Sequence, residues 1–307
     1  MGIKAKDVAL GYLLNNEQDT LNCESFNMYN KLIQSSELRA IINEPTTVIF
    51  DCRHELGNAE YGITSYRKGH IPNAIFACMD NDLSKEPNGT NGRHPLPDPR
   101  LLADWLNKCG VTNSTQVVAY DDAGGVYASR LWWLLKWLDH DAVAVLDGGL
   151  QNWMAFGGAL DSKTTHGLLK GRFEVKLRDI CVDAKFILKE LNRREMVIID
   201  ARANDRFQGR NETIDPVAGH IPGAKNRFFK NNLDQEGKFR DAKELKASFK
   251  KIMGATPSHE VIHQCGSGVT ACHNLLAMEL AGLKNSKLYP GSWSEWISDP
   301  LRPISTG

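Results

Sequence analysis

The chain has 307 residues, 42% hydrophobic and 24% charged, enough for two domains of ordinary size. Lys+Arg and Asp+Glu each number 37, so no global charge selects nucleic acid or an acidic membrane as a partner. No apolar run approaches the roughly 18–20 residues that span a bilayer. The start lacks the small-residue cleavage pattern of a secretory leader, and Lys6 stands where a myristoylation signal needs Ser or Thr. The seven cysteines, Cys23, Cys52, Cys78, Cys109, Cys181, Cys265 and Cys272, are odd in number, scattered and too few for a disulfide scaffold. A reducing, cytoplasmic compartment is therefore expected.

In chain order, the residues ahead of 25 read as a tail or a short added helix. Val48-Ile49-Phe50-Asp51-Cys52-Arg53 predicts a strand buried on both faces that ends in a polar turn. Gly69-His70-Ile71-Pro72-Asn73-Ala74 follows, and Gln116 to Tyr120 predicts a second strand leading into the loop Asp122-Ala123-Gly124-Gly125-Val126. Tyr127, Leu131, Leu134 and Leu138 recur at helical spacing, and Trp132, Trp133 and Trp137 on the same helix read as core or inter-domain packing. Val143 to Leu146 predicts another strand, and the polar, glycine-rich run from Gly157 to Gly171 reads as a linker.

The series then repeats. Val197 to Arg202 matches Val48 to Arg53, and Gly219-His220-Ile221-Pro222-Gly223-Ala224 matches the earlier Gly-His-Ile-Pro run. Glu260 to Gln264 leads into Cys265-Gly266-Ser267-Gly268-Val269-Thr270, and Ala271, Leu275 and Met278 continue it as a helix. Alternating strands and helices give an α/β fold of two domains, 25–156 and 172–307. Each is a mostly parallel sheet with helices on both faces.

Aligning Gly268-Val269 with Gly125-Val126 sets Cys265 opposite Asp122. Residue types kept in both halves, such as the Asp51–Arg53 and Asp200–Arg202 pairs and His70 and His220, read as scaffold that caps strand ends. A residue type found in one half only is a candidate for chemistry. Cys265 follows a strand and precedes a helix. Gly266 and Gly268 let the backbone curl with its N–H groups inward, and the helix beginning near Thr270 adds the positive end of its dipole. Such surroundings favour an anion, here the sulfur as thiolate or persulfide, and make a thiol nucleophilic. The hydroxyls of Ser267 and Thr270 are placed to donate to it. A buried thiol in a tight turn is the bland alternative.

The Cys-Gly-Ser-Gly-Val-Thr loop after a strand, the Asp-x-Arg and Gly-His-Ile-Pro-Gly-Ala runs upstream, and the degenerate first half resemble the tandem-domain rhodanese and mercaptopyruvate sulfurtransferase family. The resemblance covers the chain from about residue 25 to its end. It implies two rhodanese-like domains and a two-step transfer without a cofactor or metal. The Cys265 thiolate takes sulfur from a small donor, and a thiol, thioredoxin or cyanide removes it. The donor is 3-mercaptopyruvate, with thiosulfate as the alternative, because Gly266 and Ser267 stand where thiosulfate-specific relatives carry basic residues. The resemblance further implies that Arg206 binds the donor's anionic end beside the loop residues Gly266, Gly268, Val269 and Thr270. Asp80 and His94 would assist proton transfer or orient Ser267. The family's second arginine falls here among Glu212, Thr213 and Asp215, so Arg210 is its expected replacement.

Two other classes compete. A phosphatase or arsenate reductase loop needs an arginine where this chain has Ala271, and a non-catalytic binding module would not need an intact loop around Cys265. His263, Cys265, Cys272 and His273 fit no usual zinc spacing, so no metal site is expected there.

Overall fold

The structure is a computed structural model and describes residues 28–165, 171–193 and 195–307. The expected N-terminal tail or helix, with Cys23, lies outside the described residues. The first half holds a parallel sheet of β1 (Leu32–Ile33), β2 (Thr47–Asp51), β3 (Ala74–Phe76), β4 (Gln116–Tyr120) and β5 (Val143–Leu146), in the order β1-β5-β4-β2-β3. The second half repeats it with β6 (Val197–Asp200), β7 (Lys225–Asn226), β8 (Val261–Gln264) and β9 (Lys287–Leu288), in the order β7-β6-β8-β9.

Alternate residues of the central strands enter different apolar clusters, which is why these runs carry no polar face. Val117 and Ala119 of β4 join the cluster that holds helices Pro99–Lys108 and Ala128–Trp137. Val118 and Tyr120 join the one that holds Leu38 and Leu150 from the opposite face. In the second half, Val261 faces helices Ala242–Met253 and Thr270–Leu280, while Ile262 faces Trp293 and Trp296.

The largest cluster crosses between the halves. Helix Ala128–Trp137 packs on helix Thr270–Leu280, and both are buried almost all round. Trp132, Trp133 and Trp137 lie in this shared core with Leu275, Leu276 and Met278. The tryptophans therefore serve core and inter-domain packing together. The connecting run reaches beyond Gly171. Phe173 N–H donates to Asn107, Arg178 N–H donates to the Trp137 carbonyl, and Arg178 pairs with Asp139 and Asp141. The first bonds to the second sheet come at Ile180 and Val182, both to Leu288.

The residues shared by the halves are structural. Arg53 Nη2 donates to Asp51 at 2.6 Å and to the Gly69 carbonyl at 2.7 Å. Arg202 Nη2 does the same to Asp200 at 2.7 Å and to the Gly219 carbonyl at 2.8 Å. His70 and His220 each stack on an aromatic ring, Tyr66 and Phe207, and each bonds the preceding helix through Nδ1. These contacts tie a strand end to the Gly-His-Ile-Pro turn. No helix among the described residues is long and apolar enough to cross a membrane, and their six cysteines are free thiols.

Replacing Arg53 by Met leaves the fully buried Asp51 carboxylate without its cation. The loss of stability should be about 3–5 kcal/mol in urea unfolding. A loss below about 1 kcal/mol would mean that Tyr120 Oη, also bonded to Asp51, suffices alone.

Candidate active site

Cys265 sits where β8 ends, ahead of helix Thr270–Leu280, and is 2% exposed. The chain turns back through Gly268 at φ +78°, and the Gly268 N–H donates to Cys265 Sγ at 3.1 Å. A Cβ on Gly268 would run into the Pro290 carbonyl, so both the angle and the space require glycine. Cys265 N–H donates to Ser292 Oγ at 3.1 Å. Ser292 is held at φ +55°, and its hydroxyl donates to the Tyr289 carbonyl at 2.9 Å. Trp293 and Ser294 N–H groups take the carbonyls of Cys265 and Gly266. The sulfur thus rests on a pinned loop against a backbone donor at a helix start, a setting that stabilises negative charge.

The first-half loop corrects the alignment made from sequence. Asp51 pairs with Tyr120 in register as Asp200 pairs with Gln264, so Cys265 stands opposite Asp121, not Asp122. The backbone agrees: Leu150 N–H bonds the Asp121 carbonyl as Trp293 N–H bonds that of Cys265. The buried Asp121 carboxylate accepts the N–H groups of Ala123, Gly125, Tyr127 and Ala128 at 2.8–2.9 Å. Burial raises its pKa against the pull of those four donors. Asp122 instead accepts from Tyr61 Oη at 2.6 Å. The first loop is filled by its own anion.

A cleft of about 190 Å³ opens over Cys265, below the roughly 300–1,000 Å³ of pockets for drug-sized ligands. It is lined from both halves, by His54, Arg93 and His94 and by Arg206, Ser267 and the loop residues Gly266, Val269 and Thr270. Arg206 donates to Glu212 at 2.9 Å and to Asp215 at 3.0 Å, and Arg93 donates to the other Asp215 oxygen at 2.6 Å. Glu212 also pairs with Arg202 at 3.4 Å. Burial pushes the Glu212 pKa up, but Arg206 and the N–H groups of Asp215 and Ile214 outweigh it, so it stays below the usual value. Arg210 is exposed and is not among the lining residues. Besides Arg206, the guanidiniums in the lining are those of Arg202 and, from the first half, Arg93. A Cβ on Gly266 would lie 3.0 Å from Arg93 Nη2 and 3.7 Å from Arg206 Nη2.

Among the described residues, the recorded donor to the sulfur is Gly268 N–H. Ser267 Oγ bonds His94 Nδ1 at 2.8 Å instead, and His94 Nε2 lies 3.5 Å from Asp80 Oδ1. The structure therefore brings Asp80, His94 and Ser267 into one line across the halves, although Asp80 itself stands outside the cleft lining. Burial holds the His94 pKa below its ordinary value, aided by Arg130 and Arg93 and opposed by Asp80. Arg130, absent from the sequence reading, is fully buried and donates to the carbonyls of Gly268 at 3.3 Å and His94 at 3.1 Å. Its signal was a guanidinium in the first turn of a largely apolar helix.

Cys272 is bonded to the Gly268 carbonyl at 3.2 Å, and burial pushes its thiol up to about 12. It is not an accessible nucleophile. His263 faces Met278 Sδ, and His273 faces Asn232 and the Gly124 carbonyl.

The rhodanese-like domain family matches residues 34–156 and 183–299. The chain is 45% identical to a probable 3-mercaptopyruvate sulfurtransferase of Pseudomonas aeruginosa, over 90% of this chain and 98% of that one. It is 35% identical to a putative thiosulfate sulfurtransferase of Mycobacterium tuberculosis, over 90% and 97%. The solved 3-mercaptopyruvate sulfurtransferase from Leishmania major superposes with a TM-score of 0.79 at 32% identity, covering 90% of this chain and 76% of that one.

Gly268→Ala should cost about 1–3 kcal/mol in urea unfolding, through its left-handed backbone and the Pro290 carbonyl. Gly266→Ala should cost less, since its nearest neighbour is the end of the Arg93 side chain. Equal costs would show that the Gly268 turn is not the constraint.

Proposed function

The chain belongs to the rhodanese-like family, and on that footing we propose that it is a sulfurtransferase that moves sulfur from 3-mercaptopyruvate through a persulfide on Cys265. The observation that carries this reading is the Cys265 sulfur against the Gly268 N–H, at the floor of a small cleft walled by Arg93 and Arg206. We assign catalysis to the half 172–307 and substrate contacts and support to 25–156.

The Cys265 thiolate attacks the donor sulfur. An S–S bond forms, the donor's C–S bond breaks, and its electron pair goes to the methylene carbon, where the adjacent ketone stabilises it as an enolate. The proton of the donor thiol ends on that carbon, so pyruvate leaves and Cys265 keeps a persulfide. Ser267, bonded to His94 and through it near Asp80, is the path for that proton. A thiolate of thioredoxin or of a small thiol, or cyanide, then attacks the outer sulfur and restores the Cys265 thiolate. The scheme has two covalent steps and uses no cofactor. It suits a reducing, cytoplasmic compartment, as do the free thiols.

Thiosulfate is the second reading, favoured by the two guanidiniums beside Gly266. Charge weighs against it as the main donor. Arg93, Arg202 and Arg206 are matched by Asp200, Glu212 and Asp215, so the cleft wall is neutral and suits a monoanion over a dianion.

Cys265→Ser should abolish turnover with every donor, and intact-mass analysis after donor treatment should find added sulfur on the wild type alone. Sulfur mapped to Cys272 would sink the assignment. The ratio of kcat/KM for 3-mercaptopyruvate over thiosulfate should exceed one in the wild type. Asp215→Asn removes one matching carboxylate and should shift that ratio about tenfold toward thiosulfate. A wild-type ratio below one makes thiosulfate the donor and leaves the Cys265 chemistry standing.

A further inference from the structure

The Asp51-Cys52-Arg53 turn is followed by His54, where the second half has Ala203 after Asp200-Ala201-Arg202. His54 thus belongs to one half only, and it lies on the first-half wall of the cleft with His94. A ring nitrogen of His54, a ring nitrogen of His94 and an Asp80 carboxylate oxygen lie within 4.8 Å of one another. We propose that His54, Asp80 and His94 form a binding site for a borderline first-row divalent cation, zinc above all, whose occupation blocks the Asp80–His94–Ser267 line.

Distance and chemistry support the site. His94 Nε2 and Asp80 Oδ1 are 3.5 Å apart, long for a hydrogen bond. Two ligands on a tetrahedral ion with bonds of about 2.0–2.1 Å are separated by about 3.3–3.4 Å, so this pair already has the spacing of an ion's edge. His54, within 4.8 Å of both, needs a shift of at most roughly 1.5 Å to complete the triangle. Its Nε2 is buried with no hydrogen-bond partner, so the ring carries an unsatisfied nitrogen. The His54 and His94 rings stand nearly perpendicular, at 87° with centroids 6.1 Å apart, and are not stacked.

The outer contact is also in place. A metal on His94 Nε2 requires the ring proton on Nδ1, and Ser267 Oγ lies 2.8 Å from that atom, ready to accept. Two imidazoles and one carboxylate form a donor set for zinc rather than for the hard ions magnesium and calcium, which take oxygen ligands. A fourth ligand, water, can enter from the cleft. All three protein ligands come from the half that lacks the reactive thiol.

The consequence for turnover rests on the sulfurtransferase reading, but binding does not. Calorimetry with zinc chloride should therefore use the full chain carrying Cys265→Ser, which removes the thiol in the same cleft as a competing ligand. One zinc per chain should bind. Adding His54→Gln or, separately, the more exposed Asp80→Asn should weaken it at least tenfold, and a hundredfold excess of magnesium should not displace it. No uptake by the Cys265→Ser chain, less than a tenfold change in both variants, or displacement by magnesium overturns the proposal. With Cys265 restored, zinc should inhibit turnover, and His54→Gln should raise the zinc needed for half inhibition at least tenfold relative to its own metal-free rate. A chain without sulfurtransferase activity would still pass or fail the binding test.

Discussion

The backbone N–H groups at the end of the central strand in each half need an acceptor, because an unpaired buried donor costs as much as a lost hydrogen bond. Each half answers that demand differently. The first closes its loop on the Asp121 carboxylate, which takes four N–H groups at once. The second brings the Cys265 sulfur to the same place, against the Gly268 N–H. A sulfur is larger and softer than a carboxylate oxygen and can exchange its outer partner. One cage is therefore closed on a carboxylate, while the other holds a thiol that lines the cleft. The left-handed Gly268, the Pro290 carbonyl over it and the Ser292 hydroxyl under Cys265 are consequences of holding that atom still.

The two cages are joined by burial. The helices that leave them, Ala128–Trp137 and Thr270–Leu280, pack against each other in the shared core. Arg130 crosses the same interface, fully buried and answered by three carbonyls, those of Leu83, His94 and, on the Cys265 loop, Gly268. Burial lowers its pKa. The His94 and Gly268 ends of this bridge lie at residues that shape the cleft. The halves therefore cannot separate without moving the sulfur's cage and the Ser267–His94 contact together.

Much of this was legible in the chain. The β-branched runs gave the central strands, the repeat gave two like halves, and the half-specific thiol singled out Cys265. The Asp121 position was misjudged because matching Gly-Val pairs anchored the alignment at the helix side, whereas the first loop is the longer one and strand register sets the equivalence. Arg93 escaped because nothing local marks it. It stands in a loop of the other half and meets Arg206 only through Asp215. Arg210 was favoured by nearness in sequence, and its side chain faces solvent. Asp80 and His94 were named from resemblance, but their contact with Ser267 depends on how the halves dock, which no local pattern encodes.

That docking changes the meaning of the degenerate half. A loop satisfied by its own carboxylate leaves no room at its centre for a second thiol. The other loops of the first half supply Arg93, His54 and His94 to the cleft lining. The second half contributes the Cys265 thiol, the Ser267 hydroxyl, and Arg202 and Arg206, with Asp200, Glu212 and Asp215 paired to the guanidiniums. Neither set closes a small-molecule site alone. The requirement that both be present on one side of a shared apolar core is a physical reason for keeping two copies of one unit in a single chain. The second half alone would expose helix Thr270–Leu280 and lose the His94 contact to Ser267.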